Sequence, residues 1–169
     1  MNDPATAPPR DVLPGARRST PFYAARVVVS GALAHGRASG SARSSDGGLA
    51  LELRLPSELG GDASGPNPEQ LAAAALAASL HAELALVARQ HMLDPVPITV
   101  EATVTVGPDP SDDGYLLRAE VEVTWPGIPR VTADRLLARA VARCPYAKTA
   151  GGGVPAAVAL APEQRDGQA

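Results

Sequence analysis

The sequence predicts an α+β domain, and three patterns of apolar residues support that prediction. Residues 49–55 alternate between apolar and polar side chains, as in a strand with one buried face. Residues 98–106 and 115–125 alternate in the same way on either side of the turn GPDPSDDG, which predicts a β-hairpin. Residues 68–90 form a long apolar segment with a strong helix start, so the chain combines helices with antiparallel strands.

The remaining segments complete the order β-β-α-β-β-α-β. Residues 23–33 contain a run of three valines bounded by glycine, which predicts the first strand. The Gly- and Ser-rich segment 34–48 is predicted to be a loop between the first two strands. Residues 154–161 are apolar again and predict a last strand.

A second helix is predicted between the hairpin and the last strand. Thr132 is the expected N-cap, and Pro145 ends or kinks the helix because proline cannot donate a backbone hydrogen bond. Arg135, Arg139 and Arg143 recur every four residues, so they share one face. We expect these arginines to form a solvent-exposed stripe.

The first helix has well-defined start signals and an unusual surface. Asn67 is a favourable N-cap, Pro68 fits the first helical position, and Gln70 can complete a capping box. The first half of the helix is apolar on every side, which predicts burial all round rather than on one face. A helix this apolar is too hydrophobic to be left uncovered, which favours an intimate dimer.

Composition predicts a single domain and excludes several functions. Residues 22–161 are the expected domain, with disordered tails at 1–21 and 162–169. A net charge of −3 offers no basic surface for nucleic acid, and no run of about 18 apolar residues predicts a membrane span. The N-terminus lacks the apolar segment of a secretory signal, and a single Cys permits no intrachain disulfide, so a cytoplasmic location is expected.

No metal or cofactor site is predicted. His35, His81 and His91 lack the spacing of a ligand motif such as HExxH. The single cysteine excludes zinc sites built on paired cysteines. We therefore expect isolated histidines at the surface or in supporting hydrogen bonds.

Four short motifs follow one another along the chain: PSELGG, then NPEQL at the start of the apolar helix, then WPGIP, then CPYA after the second helix. With these motifs the sequence resembles the organic hydroperoxide resistance (Ohr) branch of the OsmC family over about residues 23–160. The resemblance implies an OsmC-like ββαββαβ chain, with antiparallel sheets around two helices in an interlocked homodimer. It also implies peroxiredoxin-like chemistry in the oxidative stress response. An antioxidant peroxidase of this kind reduces organic hydroperoxides and is regenerated by dithiols of the lipoyl type.

The resemblance assigns roles to individual residues. The attacking, peroxidatic cysteine of the family maps to Ser79, and the resolving cysteine maps to Cys144 in CPYA. Glu58, in PSELGG, matches the family glutamate. Arg37, in HGRASG, matches the arginine that lowers the pKa of the attacking thiol and orients the peroxide. Arg43 is a second candidate for that arginine, because the loop before SSDG is one residue longer here.

Ser79 is therefore the position on which the function depends. Peroxide cleavage requires a nucleophile that ionises near neutral pH and can carry an oxygen atom, and a thiol with a reference pKa of about 8.5 meets both needs. A serine hydroxyl meets neither, so peroxidase activity is predicted to be lost or altered. Ser79 is either an introduced Cys→Ser change or natural divergence. Divergence is favoured by Ala72, Leu76 and Leu80, which stand where the family has aromatic residues.

Three functions stay open at this point. The first is an Ohr-type protein with lost or altered peroxidase activity; if Cys144 acted alone, an external or intersubunit thiol would have to resolve it. The second is a non-catalytic binder of a lipophilic acid or peroxide, in a pocket widened by the small side chains of Ala72 and Ser79. The third is a hydrolase with Ser79 as nucleophile, although the chain has no GxSxG elbow.

Helix geometry limits the partners that Ser79 can have. Glu83 lies one turn further along the same face and is expected to accept the Ser79 hydroxyl proton in a hydrogen bond. The hydroxyl can instead bond to the carbonyl of Ala75, four residues back. His81 is about 200° away round the helix, so it cannot serve Ser79 as a base from the same chain.

Overall fold

A computed structural model describes residues 21–31, 39–148 and 156–161 of the chain. The described part has an α+β architecture with two three-stranded sheets and three helices. The strands are β1 (Val27–Ser30), β2 (Gly40–Ser44), β3 (Ala50–Leu53), β4 (Thr99–Pro108), β5 (Tyr115–Thr124) and β6 (Ala156–Leu160). The helices are α1 (Pro68–Gln90), α2 (Arg130–Val141) and α3 (Pro145–Lys148), and a short 3-10 turn at Ser57–Leu59 precedes α1.

The six strands form two separate sheets. The N-terminal sheet has the order β1-β2-β3, with antiparallel neighbours throughout. The C-terminal sheet has the order β4-β5-β6, and β4 and β5 form the predicted hairpin. The expected antiparallel pairing is confirmed for the other described strand pairs, whereas β6 runs parallel to β5. Parallel strands cannot be joined by a tight turn and need a longer crossover. The connection between β5 and β6 accordingly contains α2 and α3.

Strand β2 lies inside the Gly- and Ser-rich segment for which the sequence predicts a loop. That prediction is wrong because β2 pairs with both β1 and β3, which composition alone does not reveal. Ala42 is buried, and a Cβ added to Gly40 would lie 2.7 Å from the Ser30 carbonyl oxygen. The small side chains of β2 therefore allow a close approach between strands rather than flexibility.

The two long helices differ in how well the sequence predicts their starts. The Asn67 side-chain oxygen accepts the Gln70 N–H at 2.8 Å, and the Gln70 side-chain oxygen accepts the Asn67 N–H at 3.0 Å. This capping box confirms the predicted start of α1. The prediction of Thr132 as the N-cap of α2 is wrong, because α2 follows Pro129. The Thr132 N–H bonds to the Pro129 carbonyl, so Thr132 lies within the first turn.

The hydrophobic core lies between α1, α2 and the β4-β5-β6 sheet. Leu80, Leu84 and Val87 of α1 are almost fully buried there. They belong to one cluster with Val123 of β5 and Leu136 of α2. α1 is the one helix in the described residues that is long and apolar enough to cross a membrane by length and composition. Its packing against the sheet and α2 explains only part of this apolar character, because 33% of the apolar window is buried.

The described residues leave two sets of apolar side chains uncovered, one on α1 and one on β1. Ala74, Ala78 and Ala82 are exposed at intervals of four residues on α1, so one chain does not provide the predicted burial all round. The β1-β2-β3 sheet contacts little outside itself, and Val28 and Val29 are 56% and 57% exposed. A row of exposed apolar side chains, such as the three alanines of α1, is typical of an interaction site.

Candidate functional site

The fold brings Ser79 and Cys144 into direct contact. The Ser79 hydroxyl oxygen lies 3.4 Å from the Cys144 Sγ, and either group can donate the hydrogen. Ser79 is partly buried on α1, and Cys144 is fully buried. The two positions that the resemblance assigns to the attacking and resolving cysteines are thus neighbours, although they are 65 residues apart in the sequence.

Cys144 occupies the break between α2 and α3. α2 ends at Val141, and Pro145 begins α3 because it has no N–H with which to continue α2. The Cys144 N–H still bonds to the Ala140 carbonyl at 2.9 Å, and the Cys144 carbonyl accepts the Lys148 N–H at 3.1 Å. The backbone on both sides therefore helps to hold the thiol at this break.

A second contact lies one helical turn further along α1. Glu83 accepts a hydrogen bond from Arg143 Nε at 3.1 Å, and the side chains are 23% and 44% exposed. The prediction that Glu83 accepts the Ser79 hydroxyl is wrong, because the Glu83 carboxylate pairs with this cation instead. Arg143 is exposed, as predicted for the arginine stripe, but it lies beyond the end of α2 and its side chain reaches back to α1. The sequence contains one indication that Arg143 lies near the site, because Arg143 directly precedes Cys144.

No base is placed next to Ser79 among the described residues. His81 makes a hydrogen bond of 3.2 Å through Nε2 with the Ile98 carbonyl, and Glu83 is paired with Arg143. A serine nucleophile needs a base within hydrogen-bond reach, which argues against the hydrolase hypothesis. The described residues also hold no group of three His, Cys, Asp or Glu side chains that could bind a metal ion.

Glu58 lies in the 3-10 turn before α1, and its side chain is exposed. The Ser57 hydroxyl donates to the Glu58 carboxylate at 3.0 Å. The backbone N–H of Glu58 itself and, next, this hydroxyl lower the pKa of the carboxyl below its ordinary value. Glu58 is therefore an anion at neutral pH, available to a guanidinium from elsewhere.

Only one of the two candidate arginines lies within the described residues. Arg37 lies outside the described residues. Arg43 lies on β2 and forms an ion pair with Glu52, with 3.5 Å between Nη2 and Oε1. Both side chains of this pair are more than half exposed, so it contributes little to stability. Arg43 is thus placed with Glu52 rather than with Glu58.

Replacing Gly61 with alanine is expected to destabilise the loop that carries Glu58. A Cβ at Gly61 would lie 1.9 Å from the Leu55 carbonyl oxygen, and backbone on both sides would have to move. We expect a loss of about 1–3 kcal/mol in the free energy of unfolding, measured by urea denaturation. Gly107→Ala is the matched control, because open space surrounds Gly107. Equal midpoints for the two variants would contradict this account of the loop.

Comparison with known proteins identifies the family. The sequence profile of OsmC-like proteins matches residues 61–159, which include α1, α2, Cys144 and nearly all of β6. The chain belongs to the OsmC-like family. A family relative, the organic hydroperoxide resistance protein of Xanthomonas axonopodis pv. citri, is 34% identical over 132 residues, covering 77% of this chain and 92% of that protein.

Solved structures of OsmC-like proteins share the fold described above. The organic hydroperoxide resistance protein OsmC of Legionella pneumophila superposes with a TM-score of 0.73 at 27% identity, covering 85% of this chain and all of that one. A Vibrio cholerae protein assigned to organic hydroperoxide resistance gives a TM-score of 0.72 at 27% identity, covering 83% and 93% of the two chains. That protein has captopril bound in one of its active sites.

Proposed function

We propose that this chain keeps the scaffold of an organic hydroperoxide resistance protein but has lost the two-cysteine peroxidase cycle. The observation that carries the proposal is the 3.4 Å contact between Ser79 and Cys144. In a two-cysteine cycle the attacking and resolving side chains must meet to form a disulfide, and these two side chains already touch. Position 79 is therefore the place for the attacking thiol, and a hydroxyl occupies it.

The hydroxyl removes the first chemical step. A peroxidase thiolate attacks the OH-bearing oxygen of the hydroperoxide, and the O–O bond breaks. The sulfur keeps the OH group as a sulfenic acid, and the alkoxide that leaves takes up a proton to become the alcohol. Ser79 has no comparable oxidation state, and none of the described residues next to it is a base that could ionise it. Cys144 retains a thiol, but it is fully buried and no second cysteine exists in the chain to resolve its sulfenic acid.

We infer that the functional unit is a homodimer. The exposed alanine face of α1 and the exposed valines of β1 are apolar, and the described residues of one chain leave both uncovered. A second copy has the same two surfaces. If the N-terminal sheet of each copy packs on α1 of the other, both surfaces become buried. A single oligomeric species of twice the chain mass, measured by light scattering, supports this arrangement.

The rest of the site is inferred to serve a lipophilic anion or peroxide. Glu58 is anionic and exposed, and Arg37 is the proposed guanidinium that it holds towards the ligand. We infer that the reductant of an active relative is a dithiol of the lipoyl type and that both proteins act in the cytoplasm. These roles follow from the family motifs, and the Glu58 charge supports them.

The direct test of this proposal is hydroperoxide consumption by the unchanged protein. With cumene hydroperoxide and dihydrolipoamide, we expect a rate no higher than that without protein. Cys144→Ser should leave this background unchanged. Consumption that is well above background and disappears in Cys144→Ser would contradict the proposal, because Cys144 would then be the nucleophile.

Ligand binding without chemistry is the second candidate function. It is favoured by the small side chains of Ala72 and Ser79 on one face of α1, and by the captopril found in the Vibrio cholerae relative. We expect medium-chain fatty acids or tert-butyl hydroperoxide to raise the melting temperature of the protein. Glu58→Gln should reduce the shift if the Arg37–Glu58 pair holds the polar end. No shift with any apolar acid or peroxide would remove this candidate.

A further inference from the structure

We propose that the ion pair between Glu83 and Arg143 positions the Cys144 thiol against residue 79. Cys144 Sγ lies 3.4 Å from the Ser79 hydroxyl, and one helical turn further Arg143 Nε lies 3.1 Å from the Glu83 carboxylate. Ser79 and Glu83 are four residues apart, so they share one face of α1. Two consecutive residues, Arg143 and Cys144, therefore meet two successive turns of the same helix face.

The segment that carries the thiol lies at the break between α2 and α3. Ala142 and Arg143 follow the last residue of α2, and Pro145 prevents the helix from continuing through Cys144. The N–H groups of Arg143 and Cys144 both bond to the Ala140 carbonyl, so one acceptor anchors two residues. These bonds anchor the segment to the end of α2, and the contact of Arg143 with Glu83 adds an anchor to α1 next to the thiol.

Because Glu83 is partly buried, its ion pair with Arg143 is expected to contribute more stabilisation than a fully exposed ion pair. The Glu83 side chain is 23% exposed, so solvent and salt screen its charge less than that of an exposed carboxylate. Within the described residues, this is the one ion pair that links α1 to the segment between α2 and α3. Loss of Arg143 would leave a partly buried carboxylate without its cation and would release the segment from α1.

The consequence is a measurable change in the exposure of the thiol. With the pair intact, Cys144 is fully buried beside Ser79. Without it, the segment should open more often, and a small reagent should reach the sulfur. The inference rests on the proposed function only for its catalytic meaning, because the position of Cys144 can be measured without any peroxide.

The test is alkylation of the folded, full-length protein with N-ethylmaleimide, followed by intact mass. Cys144 is the single cysteine, so one added label reports its exposure alone. We expect Glu83→Gln and Arg143→Gln each to label about tenfold faster than the unchanged protein, because local opening becomes less costly. The charge-swapped double variant, Glu83→Arg with Arg143→Glu, should label at close to the original rate.

Two controls separate positioning from loss of charge and from loss of stability. Arg139→Gln removes an exposed cation one turn earlier in α2 and should label like the unchanged protein. Arg130→Gln removes the contacts of Arg130 with Asp134 and with the Leu160 and Ala161 carbonyls, at the opposite end of α2. Its labelling rate, set beside its urea midpoint, shows how much exposure follows from lower stability alone.

A second measurement uses the Ser79→Cys background. There one hydroperoxide and two thiols give one disulfide, one alcohol and one water. Glu83→Gln in this background should slow disulfide closure several-fold, while dimedone traps more sulfenic acid at position 79, because the resolving thiol is less often in place. A purely structural role would lower the yield of folded protein without raising the trapped fraction.

The outcomes separate this inference from the proposed function. Single variants that label at the original rate, or a charge swap that labels as fast as the single variants, would overturn the positioning role. If Ser79→Cys does not react with peroxide, the proposed function fails, and the alkylation rates still decide the role of the ion pair.

Discussion

Replacement of Ser79 with cysteine is expected to raise hydroperoxide consumption by on the order of a thousandfold when a dithiol reductant is present. A thiol with its reference pKa of about 8.5 is ionised to about 3% at pH 7, and a nearby guanidinium increases that fraction. The thiolate can break the O–O bond, whereas the Ser79 hydroxyl cannot. The measurement is steady-state consumption of cumene hydroperoxide with dihydrolipoamide.

The geometry around position 79 also favours the second step. The Ser79 hydroxyl oxygen and Cys144 Sγ are already in contact, so a thiol at position 79 would lie within reach of the sulfur with which it must form the disulfide. Ser79→Ala is the matched control, because it removes the hydroxyl without adding a nucleophile, and it should stay at background. Adding Cys144→Ser to the Ser79→Cys variant should allow the first oxidation but block closure of the disulfide.

A Ser79→Cys protein that folds normally and remains at background would contradict this assignment. The attacking position, the proposed arginine or the family pocket would then be absent from this chain. Turnover in Ser79→Ala would contradict it in another way, because the active group would have to be Cys144.

Replacement of Ala78 with arginine should be severely destabilising, although Ala78 is exposed in the single chain. An exposed helical alanine tolerates arginine with a change of about 0.5 kcal/mol or less. If a second copy covers this face, the same change buries an unpaired guanidinium and costs about 3–5 kcal/mol. We expect loss of the dimer and a large fall in the urea midpoint, measured by light scattering and by circular dichroism.

Ala138→Arg is the matched control for this prediction. Ala138 is also an exposed alanine within a helix, but it lies on α2 and away from the alanine face of α1. It should keep the oligomeric state and the stability of the unchanged protein. If Ala78→Arg behaves like Ala138→Arg, the exposed face of α1 is a solvent surface, and the proposed homodimer must use other contacts.

The parts of the fold that the sequence predicts well are those set by local signals. α1 begins at Pro68 because Asn67 and Gln70 form a capping box, and this pair of residues can be recognised in the sequence. The β4–β5 hairpin follows from strict alternation around a turn rich in Pro, Asp and Gly. Strand β2 escapes prediction because its formation depends on two neighbouring strands rather than on its own composition.

The site shows the same division between local and tertiary information. The motifs single out Ser79 and Cys144, and the contact between them agrees with that pairing. The sequence does not predict that Glu83 pairs with Arg143 rather than with Ser79. Helical spacing shows which residues share a face of α1, but it does not show which residues of other segments pack against that face. The direction in which Arg143 points depends on where α2 breaks, and Pro145 alone does not fix that residue.

The central claim is that position 79 is the site of the attacking thiol and that Cys144 is its partner. It is tested most directly by treating the Ser79→Cys protein with one equivalent of cumene hydroperoxide and measuring its mass after proteolysis without reduction. The account predicts a product lighter by two hydrogen atoms, in which the peptides containing positions 79 and 144 are joined by a disulfide within one chain. Oxygen added at Cys144 with no such link, or recovery of both thiols unchanged, would contradict it.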